Sequence, residues 1–293
     1  DSEQIRKFGF RFFFSDGRSD IDRCTELGVS RILPTPSWQI DRGRFENFLG
    51  EEARRLGVRF LHGATVRGIA MADGNDAHAI TFEHAGDTRT VHARWVVDAS
   101  GRAGLIKRKL DLSAPEVHDA NAVWWRVDGI IDPKLWSDDA DWLSRCTPPD
   151  RWRSTNHMCG PGYWFWLIPL SSGAHSLGIV CDAAMHPLET MNTHEKAMVW
   201  LREHQPRMAE ALDAPEHTLQ DFLFLRRFSH GCKQVFGGNR WALTGEAGVF
   251  LDPFYSPGSD FIAISNTLIC DLIDKDRAGK PFAAYADIYQ QLY

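Results

Sequence analysis

Two short apolar runs constrain the fold most. Trp95–Val97 is continuously apolar and leads straight into the small, polar segment Asp98–Ala99–Ser100–Gly101–Arg102. Far downstream, "RWALTG" (240–245) repeats the arrangement and also ends in glycine. A strand apolar on both faces belongs inside a parallel sheet covered on both sides. Small residues at such a strand's carboxyl end let the backbone come close to a ligand, at the place where open α/β sheets bind theirs. Either segment alone also suits an ordinary strand–loop–helix connection. Paired, they point to a nucleotide-binding layer.

What lies between them has a different texture. From 115 to 235, aromatic-rich strand candidates ("NAVWWRVDGI", "YWFWLIPL", "HSLGIVCD", "LQDFLFLRRF") alternate with loops, plus one helical region near 193–212 interrupted at Pro206. Upstream, residues 41–57 read as an amphipathic helix. Asp41 is its N-cap, Phe45, Phe48, Leu49 and Leu56 form its stripe, and Gly57 stops it. "VRFLHGATVRGIAMA" reads as strand, tight turn, strand, and the following segment as a meander turning at Ala85–Gly86–Asp87. After Gly258 the chain is helical and apolar nearly all round, so it lies in a core. The order is α/β, β-rich, α/β: one layered domain (1–114 and 236–293) interrupted by a mostly antiparallel sheet domain (115–235).

Within the insert, "GYWFWLIPL" (162–170) places Trp164, Trp166 and Ile168 on one strand face and Tyr163, Phe165 and Leu167 on the other. Both faces are apolar, which predicts burial on both sides. "RKFGFRFFF" (6–14) likewise reads as a strand with Phe8, Phe10, Phe12 and Phe14 on one face and Lys7 beside it. Such a lysine is either a solvated end residue or, drawn into an apolar channel, a poised group with a shifted pKa.

A formal charge of −6 disfavours nucleic acid or an anionic membrane as the main partner. No apolar run reaches membrane-spanning length. The six cysteines are scattered without a C-x-x-C pair, which suits free thiols in a reducing cytoplasm better than disulfides or zinc. The twelve histidines show no H-x-H or H-E-x-x-H spacing, so no metal is expected.

Together these residues resemble the flavin-dependent halogenases, within the FAD-dependent monooxygenases. Trp164-x-Trp166-x-Ile168-Pro169 matches that family's W-x-W-x-I-P, and Phe250-x-x-Pro253-x-x-Ser256-x-Gly258 its second signature. "PSWQIDRGRFENFL" is similar to its segment near the cofactor, with Arg42 as the basic residue; Lys7-x-Gly9 with Phe12 is similar to the surroundings of its catalytic lysine.

The resemblance implies an FAD-binding, Rossmann-like three-layer α/β domain with an inserted substrate domain. Reduced FAD from a separate flavin reductase, O2 and halide would give hypohalous acid, held by Lys7 for transfer to an electron-rich aromatic substrate, free or tethered to a carrier. Trp164 and Trp166 would wall substrate off from the flavin, along a passage with Ile168, Pro169, Phe250, Pro253 and Ser256. Arg42, Val66, Asp98, Ala99, Gly101, Gly245, Glu246 and Gly258 would contact the cofactor, and Ser256, Gly258 and Ser259 the halide. The chain departs from the family in several places. It contains no G-x-G-x-x-G, so it is expected to lack the N-terminal βαβ unit, and to be cut short in the C-terminal helical region. Glu246 stands in place of Asp, Pro257 brings no N–H to the halide position, and Tyr255 replaces the Glu of tryptophan-specific members. The alternatives are a flavin hydroxylase of the same fold and a non-catalytic chain that binds no FAD.

Overall fold

Every aromatic run picked out in the middle of the sequence forms a strand. The computed structural model describes residues 3–15 and 20–293. In chain order its principal elements are β1 (Phe10–Phe14), β2 (Thr25–Gly28), α1 (Arg42–Arg55), β3 (Thr65–Ala70), β4 (His78–His84), β5 (Asp87–Ala93), β6 (Val96–Asp98) and α2 (Leu105–Lys109). Then come β7 (Ala120–Asp128), α3 (Ala140–Ser144), β8 (Thr155–Gly160), β9 (Tyr163–Pro169), β10 (Ala174–Asp182), α4 (His194–His204), α5 (Pro206–Leu212) and β11 (Leu219–Leu225). Last are β12 (Trp241–Leu243), α6 (Gly258–Arg277) and α7 (Phe282–Leu292).

The chain divides into two units, Asp1–Arg55 with Asp119–Phe228, and Leu56–His118 with Ser229–Tyr293. The described residues up to Arg55 thus fold with the β-rich middle segment, a grouping different from the expected 1–114. The cause is backbone pairing: β1 runs parallel to β8, with Phe12 opposite His157.

In the first unit seven strands form one sheet in the order β11-β7-β10-β9-β8-β1-β2. Every pair but β1/β8 is antiparallel. Its inner face carries Phe13, Trp125, Phe165, Leu167, Leu177 and Ile179, packed with Trp200 and Leu201 of α4 and Met208 of α5. Burial of each such side chain contributes about 1.5–3 kcal/mol. Pro206 starts α5 where α4 ends, as its missing N–H requires.

Strand β9 corrects one expectation. Tyr163, Phe165 and Leu167 are buried, whereas Trp164, Trp166 and Ile168 alternate with them at intermediate exposure. One face therefore belongs to the core and the other, equally apolar, is half open. The row of four phenylalanines is also shorter than expected. Gly9 takes φ +78°, so the chain turns before β1 and Phe8 leaves the row, buried with the Arg11 guanidinium 5.6 Å from its ring. Helix α1 forms as expected but buries no residue, and Phe48 on its stripe is 59% exposed.

The inner edge of this sheet holds a buried ionic trio. Glu26 on β2 pairs with Arg11 on β1, and accepts from Arg151 Nε at 2.9 Å. Arg151 also donates to the Trp142 carbonyl at 2.7 Å, with its guanidinium 3.9 Å from the Trp142 ring centre. Burial pushes the Glu26 carboxyl up, but the Arg151 hydrogen bond and the two guanidinium charges outweigh it and hold it below its ordinary value.

In the second unit β6 and β12 are parallel neighbours, Val97 opposite Ala242, as their apolar runs predict. The short strand Phe236–Gly237 pairs antiparallel with β12. Ile106, Phe236, Trp241, Leu243, Ile269 and Leu272 form the core beneath them. Strands β3–β5 make the expected meander; Ala85 and Gly86 both take positive φ between His84 and Asp87, the geometry of a two-residue type I′ turn. The strand expected at 58–61 is not formed, and β3 begins at Thr65.

Candidate active site

On the half-open face of the seven-stranded sheet the aromatic residues line up across three strands. Lys7 Nζ lies 3.4 Å from the centre of the Phe10 ring, a cation–π contact. Phe10 stacks beside Phe12 at 6.3 Å and Phe12 on His157 at 4.8 Å with 14° between planes. His157 meets Trp164 edge-on at 5.2 Å, and Trp164 meets Trp166 at 5.7 Å. The row follows from strand register: Phe12 lies opposite His157, and His157 opposite Trp166. Lysine, imidazole and two indoles thus share one surface, separated by one or two ring widths.

Two neighbours fix the end of the row. Trp166 donates its indole N–H to Ser176 Oγ at 3.2 Å. Its six-membered ring lies across Gly178, the residue opposite it on β10; a Cβ there would fall 2.2 Å from Trp166 Cη2. Only glycine leaves room for the indole.

His157 was not anticipated. It is 1% exposed, and burial, with the nearby Lys7 charge, pushes its pKa down to about 3. The imidazole is therefore neutral, and Lys7 is the cation of the row. The signal for His157 lay in the alternation of "TNHMCG": Met158 points to the core, so His157 points the other way. Arg42 contributes nothing to this row. It opens α1, where it pairs with Glu46 at 2.7 Å.

The second unit assembles another set. The carboxyl ends of β6 and β12 open into two similar tight turns, Gly101–Ala103 and Gly245–Ala247. Gly101 has φ +60° and Gly245 φ +59°, conformations in which a side chain is strained. Asp98 holds its turn from within: its carboxylate accepts from the Ser100 N–H at 2.9 Å and the Ile106 N–H at 2.7 Å. Thr244 donates its N–H to the Asp98 carbonyl, and its hydroxyl lies 2.7 Å from Ser265 Oγ, tying the turn to α6. Ala99 lies between β6 and the first of these turns, Glu246 stands in the second, and Val66 lies on β3.

From Gly245 the chain passes Phe250 and reaches a turn at Pro253–Tyr255, capped by Asp252 Oδ1 on the Phe254 N–H at 2.8 Å. Asp252 Oδ2 also pairs with His118 Nε2 at 2.7 Å. Ser256 is left-handed at φ +53°, and its N–H already donates to the Pro253 carbonyl at 2.8 Å. Pro257 precedes α6. The N–H groups of Gly258, Ser259 and Asp260 therefore form the open donor end of a 20-residue helix. No cluster of metal-ligating side chains occurs among the described residues.

These features suit the ring end of a flavin: bare backbone at two glycine turns, for which side chains would be an obstacle, followed by unshared amide donors at a helix start. The model of the tryptophan halogenase family matches residues 30–290. This chain belongs to that family. Among curated relatives it is 25% identical to flavin-dependent halogenase chlA of Dictyostelium discoideum, over 91% of this chain and 47% of that protein. It is 27% identical to the 1H-pyrrole-2-carbonyl-[peptidyl-carrier protein] brominase of Pseudoalteromonas luteoviolacea, over 86% of this chain and 60% of that protein. The chain thus spans about half the length of the halogenases it matches. Among solved structures, halogenase PltM in complex with phloroglucinol and FAD superposes with a TM-score of 0.80 at 20% identity, covering 98% of this chain and 57% of that one. The fold is therefore that of the flavin-dependent halogenases. No helix among the described residues is long and apolar enough to cross a membrane.

Proposed function

We propose that this chain carries the halogenating machinery of an FAD-dependent halogenase acting on a small electron-rich aromatic ring. The observation that carries the reading is the row Lys7–Phe10–Phe12–His157–Trp164–Trp166, which sets one ammonium beside a wall of rigid rings. Bound reduced FAD, supplied by a separate flavin reductase, would furnish with O2 the oxidising equivalents that turn halide into hypohalous acid. The turns at Gly101 and Gly245 and the α6 start would hold its ring end, and the Gly258 and Ser259 amides would meet the halide.

Lys7 then holds the oxidised halogen, through a hydrogen bond from its ammonium or as a haloamine. The face of Phe10 positions that amine through the 3.4 Å cation–π contact, with Lys7 half-buried. Trp164 and Trp166, tilted 45° to each other, would bound the substrate with two rigid rings. Neutral His157 brings no second positive charge to the row. Tyr255, where tryptophan-specific members carry Glu, favours a phenolic or pyrrolic ring over free tryptophan. The names of the relatives agree, one acting on a carrier-bound pyrrole and one structure holding phloroglucinol. The scattered cysteines, with no C-x-x-C pair, support a cytoplasmic setting.

The test is incubation of the protein with FAD, a flavin reductase, NADH, bromide and a panel of phenols, pyrroles and indoles, read by mass spectrometry. Brominated product supports the reading. Hydroxylated product, or NADPH oxidation with no reductase present, would assign the chain to the hydroxylases. Absence of flavin absorbance after FAD loading would assign it to non-catalytic relatives.

A further inference from the structure

Lys107 on α2 is a buried ionisable group of the second unit that the proposed chemistry leaves without a task. It is 6% exposed, yet its ammonium meets only neutral partners: His230 Nδ1 at 2.9 Å and the Gly248 carbonyl at 2.6 Å. Among the described residues no carboxylate pairs with it. A buried cation is costly unless its hydrogen bonds do structural duty. Here one bond lands on Gly248 and the other on His230, the backbone partner of Phe250 two residues further on. Gly248 closes the turn that starts at Gly245. His230 exchanges two backbone hydrogen bonds with Phe250, each 3.0 Å, at the head of the second signature.

We propose that Lys107 and His230 form a proton-sensitive clamp that fixes the segment Gly245–Phe250 and thereby sets how tightly the glycine turn receives FAD. The second clause rests on the functional reading above; the clamp itself does not. The imidazole must be neutral at Nδ1 to accept from the ammonium, with its proton on Nε2. The groups around the pair make protonation unfavourable. Lys107 faces it from α2, Arg102 acts on it from the Gly101–Ala103 turn, and Cys232 on the adjoining strand segment is a thiol whose own pKa is raised by burial. Burial first, then the Lys107 and Arg102 charges, hold the His230 pKa below its ordinary value, and burial does the same for Lys107. Once acid protonates His230, two cations stand where one hydrogen bond was. Nδ1 no longer accepts, and the staple on Gly248 and Phe250 is released.

Two readouts test this. Hydrogen–deuterium exchange of the flavin-free chain, corrected for intrinsic rate, follows the Phe250 amide; a fluorescence titration with FAD follows binding. Lys107→Met is expected to speed Phe250 exchange about tenfold or more at neutral pH and to weaken FAD binding. In the wild type both properties should worsen as pH falls from about 7.5 to about 5. His230→Gln accepts from Lys107 through its amide oxygen and takes up no proton, so it should flatten that profile. Unchanged Phe250 exchange in Lys107→Met, or an unaltered pH profile in His230→Gln, overturns the clamp. If Lys107→Met does not fold, the His230→Gln profile alone decides. Wild-type protein that binds no FAD while its exchange behaves as described refutes the functional reading and the link to FAD, and leaves the clamp standing.

Discussion

Replacing Gly178 with alanine puts a methyl group where Trp166 lies. The new Cβ would sit 2.2 Å from Cη2 and 2.4 Å from Cζ2 of the indole, and 2.6 Å from the Val123 carbonyl oxygen on the neighbouring strand. Ordinary carbon contacts are about 3.5–4 Å, so the ring must withdraw by more than an ångström or the strands must part. Overpacking of this kind costs about 1–3 kcal/mol. The entropy that alanine removes from the unfolded chain returns only about 0.4–1 kcal/mol, so the net effect is destabilising. The ring and carbonyl contributions separate in a double-mutant cycle. Trp166→Phe removes both clashing ring carbons and leaves the carbonyl, so Gly178→Ala should cost less in the Trp166→Phe background by about 1 kcal/mol or more. Urea unfolding of the four proteins measures this, and the halogenated product ratio reports the displaced wall. Full stability of Gly178→Ala, or strict additivity with Trp166→Phe, would refute the packing argument.

Lys7→Ala should lower halogen transfer by about 10²–10⁴-fold while reduced flavin is still oxidised by O2; near-normal bromination would remove Lys7 from the mechanism. Trp164→Ala should change the ratio of halogenated to hydroxylated product, and an unchanged ratio would show that the indole walls off nothing. Glu26→Gln leaves Arg11 and Arg151 buried without their counter-charge, at a cost of about 3–5 kcal/mol readable as a lowered urea midpoint. His157 and His175 are both buried with pKa pushed down to about 3. The folded state resists protons that the unfolded chain binds at its ordinary pKa of about 6.5. Stability should therefore be unaffected by these groups above that value and fall below it by about 1.4 kcal/mol per pH unit for each histidine. A urea midpoint constant from pH 7 to pH 4.5 would contradict their burial as neutral rings.

Local pattern carried the parts of this fold whose cause is local. The apolar runs ending at Asp98 and Gly245 do pair in parallel, because a strand hydrophobic on both faces has nowhere else to go. Gly57 does stop α1, and Pro206 does divide α4 from α5. Alternation in β9 separated its two faces correctly, but composition misjudged how deeply each is buried: Trp166 is as apolar as Phe165, and only tertiary packing decides which meets the core. Phe8 was misplaced because left-handed Gly9 breaks the alternation before β1 begins at Phe10. The stacking of His157 on Phe12 and the Glu26 trio were not legible for a different reason. Each depends on β1 lying beside β8, and no local signal announces contact between residues so distant in the chain.

That same pairing has a price in biogenesis. The strand following Lys7 has its parallel mate at Thr155–Cys159, and Arg11 on it shares Glu26 with Arg151. At a synthesis rate of about 5–20 residues per second, nascent β1 waits on the order of ten seconds, its phenylalanines uncovered, before that mate leaves the ribosome. Such an interval is when aromatic edges seek other chains. Recombinant yield should therefore respond to slower translation, lower temperature and holdase chaperones more than equilibrium stability would suggest.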